Sequence, residues 1–131
     1  MMGSAPVFHG LGNFASVTMA LSEKQDNPER QAWARRRRLM FGFDPDPKFP
    51  MYSFHPDSRN TLIAVCDVDK NGPLRAGFLP CWINEDSQPE IHSRDETGAR
   101  VAAYIERITR EAGLKASFHW DGDQITFCRR N

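Results

Sequence analysis

The sequence predicts an α+β fold with a mainly antiparallel sheet and two helices. Three observations predict it. Short apolar, β-branched runs come in pairs across turn residues, two segments carry helix caps and helical spacing, and the elements follow one another as two strands, helix, loop, two strands, helix, two strands.

Val7 to Leu11 and Phe14 to Leu21 are apolar and β-branched enough for strands, with a Gly10-Leu11-Gly12-Asn13 turn between them. Asn27-Pro28-Glu29 then gives an N-cap and a proline at the first helical position. The helix is expected from about Pro28 to Met40, stopping near Gly42. From 42 to 59 no period survives, because Pro45, Pro47, Pro50 and Pro56 forbid a regular helix or ladder. Phe43, Phe49, Tyr52 and Phe54 recur through that stretch, so it reads as a long ordered loop pinned by its rings.

Asn60 to Val68 is the clearest strand, and its near-continuous apolar run predicts burial on both faces. Asp69-Lys70-Asn71-Gly72 turns the chain, and Leu74 to Ile83 returns as the hairpin partner, with Pro80 expected at an edge or bulge. Ser93 to Ala112 is the second helix. Ser93 and Glu96 have capping-box spacing, Val101, Tyr104, Ile105, Ile108 and Ala112 form one apolar stripe, and Gly113 supplies the stop. Phe118 to Trp120 and Gln124 to Cys128 close the chain as a hairpin across Asp121-Gly122-Asp123.

The 131 residues suit a single domain or subdomain. Seventeen basic and 17 acidic residues cancel, so no global field draws the chain to nucleic acid or to an anionic surface, and any such attraction must be local. No run approaches the roughly 20 apolar residues that span a bilayer. Cys66, Cys81 and Cys128 are far apart and odd in number, which argues against a disulfide framework and a zinc ribbon. Cys66 and Cys81 sit in apolar strand-like runs and are expected to be small buried thiols, a weak pointer to a reducing, cytoplasmic setting.

The run Pro6-Val7-Phe8-His9-Gly10-Leu11-Gly12-Asn13-Phe14 resembles the P-I-F-Y-S/G-L-G-N-F strand-turn-strand of the bacterial CapA family. These are the poly-γ-glutamate capsule-synthesis proteins, related in fold to calcineurin-like metallophosphoesterases. More loosely, Arg59 to Val65 and Ala76 to Ile83 are similar to the next two core strands of that family, and Ser93–Ala112 to its closing helix. His9 departs from the usual tyrosine, and the Pro/Phe loop is long, which marks a divergent branch. The resemblance implies the C-terminal portion of an αββα sandwich, with a missing N-terminal part of the same protein as its first partner.

In that family divalent metals are held by motifs such as D-x-H, G-N-H and G-H-x-H, and this sequence contains none of the three. Metal hydrolysis needs several converging ligands and an open position for water. The chain alone is therefore expected to hold no metal and to be non-catalytic, while the intact parent would be a metal-dependent hydrolase. The resemblance makes His9, Gly10, Gly12 and Asn13 candidate wall residues for an anionic polymer or a phosphate ester. A plain turn needing positive φ explains Gly10, Gly12 and Asn13 equally well. His55, His92 and His119 show no ligand spacing.

Arg35, Arg36, Arg37 and Arg38 cover slightly more than one helical turn. They read either as a solvated run or as a grip on a polyanion, polyglutamate carboxylates or phosphates suiting the guanidinium fork. Nucleic acid is disfavoured, since no aromatic platform accompanies them. No P-loop, dinucleotide fingerprint or catalytic triad can be argued from spacing. The alternative to the CapA-like reading is a self-sufficient, non-catalytic α+β binding or oligomerisation module. On the CapA-like reading, a portion parted from a larger sheet exposes a strand edge through which two copies could pair.

Overall fold

A computed structural model describes residues 7–8, 28–44, 46, 48–49, 52, 54–68, 70 and 75–129, the side chains of Arg30, Trp33, Ala34, Arg37 and Arg129 excepted. The fold is α+β, with two α-helices and a five-stranded, mainly antiparallel sheet among the described residues. The elements are α1 (Pro28–Phe41), a single 3-10 turn (Pro56–Arg59), β1 (Asn60–Asp67), β2 (Arg75–Ile83), β3 (Pro89–Ile91), α2 (Glu96–Glu111), β4 (Ala116–Asp121) and β5 (Gln124–Arg129). Contacts divide the chain into two compact units. One holds 60–82 and 90–129 with Phe8; the other holds 28–59 and 83–89.

In the first unit the strand path is β1-β2-β5-β4, and β3 adds to β2 beside it. The β1–β2 hairpin pairs Asn60 with Trp82 and continues in step to Asp67 with Arg75. The β4–β5 hairpin closes through Gly122-Asp123, and Gly122 has φ 61 at the position that a type II′ turn reserves for glycine. Cross-strand partners share a face, so the register puts Phe78, Ile125, Phe127, Phe118 and Trp120 on one side of the sheet. Phe78 and Ile125 are almost fully buried there. The Phe118 ring lies 6.1 Å from Phe78 and 6.0 Å from Phe127.

Helix α2 packs against both outer strands of the path, β1 and β4, so it lies across the sheet. Val101 is fully buried, and Arg100 stacks its guanidinium 4.4 Å from the Trp82 ring centre, on the same face. Gly98 is buried at the start of the helix, where a β-carbon would run into the Ser93 carbonyl oxygen. Gly113, at φ 72, ends the helix by donating its N–H to the Arg110 carbonyl.

Several expectations change. Val7 and Phe8 lie in no strand, and the rest of the expected strand pair, residues 9–21, falls outside the described residues, as does most of the 69–72 turn. β1 is half-buried at the end of the path rather than covered on both faces; the buried strand is β2, which has neighbours on two sides. Pro80 is interior, not at an edge. Its carbonyl accepts the His92 N–H at 2.9 Å, so its missing donor faces the place where β2 passes from β5 to β3, while its pairing with Leu62 of β1 is kept. Asp95, not Ser93, is the N-cap of α2. Cys66 is exposed, because its strand is an outer one, and only Cys81 is buried.

In the second unit α1 ends as expected, Gly42 taking φ 74 and donating to the Arg38 carbonyl at 2.9 Å. The long loop is held by its rings: Phe49 and Tyr52 are buried, and the Arg59 guanidinium stacks 3.7 Å from the Phe49 ring centre while bonding Asp46 at 2.9 Å. Asn84 organises the turn between β2 and β3, its side-chain oxygen accepting the N–H groups of Asp86 and Gln88.

Candidate functional site

His9, Gly10, Gly12 and Asn13 lie outside the described residues. What is described is the approach to them. The ring of Phe8 meets Phe127 of β5 edge-on at 5.3 Å, which joins the start of the family-like run to the aromatic face of the sheet. Arg35, Arg36 and Arg38 are all exposed on α1, and Arg38 reaches Asp44 at 3.4 Å.

Three clusters of chemical groups are described. At the start of α2, Asp95 accepts the Gly98 N–H at 2.7 Å and sits 3.2 Å from Nδ1 of His92. The Gly98 amide, followed by the imidazole, holds the Asp95 carboxyl below the ordinary aspartate range. Glu90 lies 4.0 Å from Nε2 of His92. The residues are close in sequence because the short β3 runs directly into the cap, so a structural clasp explains the geometry: His92 uses its backbone to extend β3 pairing and its ring to brace the capping carboxylate.

The second cluster is Asp46 with Arg59. The Lys48 N–H, at 3.0 Å, and then the Arg59 guanidinium lower the Asp46 pKa. In the third, Tyr52 and Ser58 share a hydrogen bond at 2.9 Å, and the Ser58 hydroxyl donates to the His55 carbonyl at 2.6 Å. Nδ1 of His55 accepts the Asp57 N–H at 3.1 Å. The serine thus addresses the His55 backbone and not its ring, and among the described residues no base bonds its hydroxyl. Burial raises the Cys81 thiol pKa, the reverse of what a nucleophile needs.

The divalent metals that the resemblance implies do not fit the described side chains. Among them no three His, Cys, Asp or Glu converge on one point. No catalytic step follows from these clusters. Sequence reading missed Asp95, Asp46 and Arg59, and it missed the exposed apolar end of α1. The first had a visible signal, an aspartate directly before an acidic first turn; Asp46 and Arg59 are 13 positions apart and are joined only by the loop's folding.

Comparison of the chain with family models, with curated proteins and with solved structures finds no match. Among the described residues no helix is long and apolar enough to cross a membrane.

Proposed function

We propose that this chain is the C-terminal part of a CapA-like protein of the metallophosphoesterase superfamily, and that it does not catalyse by itself. In the intact protein it would complete a sheet layer. The turn at His9, Gly10, Gly12 and Asn13 would form the wall of a hydrolytic site acting on an anionic polymer or a phosphate ester, with the divalent metals held by upstream residues. The observation that carries the reading is the Pro6–Phe14 run. The anchoring of Phe8 on Phe127 supports it, since a wall segment has to be fixed to a rigid layer to position donors.

The test is the coding sequence preceding Met1, expressed in frame with this chain. The expected result is an upstream part carrying D-x-H, G-N-H and G-H-x-H, metal-dependent phosphate-ester turnover by the joined protein, and a loss of kcat in Asn13→Ala. An upstream sequence without those motifs, or Asn13→Gly and Asn13→Ala both at full activity, contradicts it.

A second reading is an independent α+β binding or oligomerisation module. It is favoured by the unit of 60–82 and 90–129, which buries Phe78, Val101 and Ile125 in a core of its own. Among the described residues β1 and β4 are the outer strands, and they would then offer edges for a second copy.

A further inference from the structure

We propose that the end of α1 docks onto an anionic lipid bilayer, with Leu39 and Met40 entering the interface and Arg35 and Arg36 binding headgroup phosphates. This goes beyond the function proposed above and does not depend on it. Leu39 is 87%, Met40 70% and Phe41 57% exposed, three large apolar side chains in succession in the last turn. One exposed leucine needs no explanation, but a cluster beside a block of charge does. Helical spacing puts Leu39 three and four residues beyond Arg36 and Arg35, and Met40 four beyond Arg36, so these four side chains share one face. Arg35 and Arg36 are themselves exposed.

The order of the layers selects the occupant. The arginines stand about one turn, roughly 5 Å, behind the apolar residues. Interfacial apolar side chains bury about 5–10 Å into the headgroup/acyl boundary, with the cationic groups left at phosphate level, where arginine side chains extend to keep their charge hydrated. A soluble polyanion would satisfy the guanidinium groups and leave Leu39 and Met40 in water. The geometry is end-on, since the apolar residues are gathered in the last turn and not along the helix.

Charge supports the same orientation. A helix C-terminus carries about half a negative charge, which repels an anionic surface. Asp44 adds one more, and Arg38 at 3.4 Å offsets it. Arg35 and Arg36 then outweigh the half-charge, and the local balance is attractive although the whole chain is neutral.

Co-sedimentation of the full chain with vesicles tests this, using phosphatidylcholine alone and phosphatidylcholine mixed with phosphatidylglycerol, at low and high salt. The expected result is binding to the mixed vesicles only, weakened by salt. Binding should fall about thirtyfold in Arg35→Gln/Arg36→Gln, from about 1 kcal/mol per arginine at the surface. It should fall by at least about a hundredfold in Leu39→Ser/Met40→Ser. All four positions are exposed, so the variants keep the fold, which circular dichroism verifies. No binding to the mixed vesicles, equal binding to neutral ones, or undiminished binding by Leu39→Ser/Met40→Ser overturns the proposal. The last outcome would leave only an electrostatic contact of the arginines with headgroup phosphates, with no apolar insertion.

Discussion

Asp95 carries two tasks in one carboxylate, capping the first turn of α2 and bracing His92 of the preceding segment. Because its pKa is lowered on folding, its charged form stabilises the fold fully above the free-chain value of about 3.9, and that stabilisation disappears as pH falls through the lower folded value. Asp95→Asn keeps a capping oxygen and removes the charge. Thermal melts from pH 5 downward should show the variant below the parent at pH 5, with the gap narrowing as the parent's carboxylate is protonated. A gap of constant size across that range would mean that the charge contributes nothing.

At the scale of elements, the closest fit is between α2 and the segment leading into it. Replacing glycine by alanine within a helix ordinarily gains about 1 kcal/mol. At Gly98 the added methyl would meet the Ser93 carbonyl, a main-chain atom that no rotamer change can move aside. Overpacking costs about 1–3 kcal/mol, so after the helix-propensity gain Gly98→Ala should lose up to roughly 2 kcal/mol, read as a lowered urea midpoint; a raised midpoint would contradict the packing described. The same elements explain what could be read from sequence. The ends of α1 and α2 were legible because Gly42 and Gly113 are local stop signals that act through positive φ. The two described hairpins were legible for a similar reason, as paired apolar runs across turn residues. β3 was not, since three residues become a strand only because β2 offers a free side there. Apolar content likewise could not tell β1 from β2, because strand order, not composition, decides which is covered. For the site, the arginines of α1 were legible and the exposed Leu39–Phe41 end was not, since apolar helical residues are ordinarily assigned to a core.

On the scale of the whole molecule, the chain divides into a unit containing the sheet and α2 and a unit built on α1 and the Pro/aromatic loop. Neither brings together, among the described residues, the convergent ligands that metal-assisted hydrolysis requires. The family-like run at 6–14 supplies backbone and one histidine, which is material for the wall of a site and too little for a metal cage. The most direct test is calorimetric titration of the 131-residue chain with Mn²⁺ and Zn²⁺, paired with a phosphate-ester assay on the same sample. The account predicts neither tight stoichiometric binding nor turnover. Two ions bound per chain, with hydrolysis that a chelator abolishes, would contradict it.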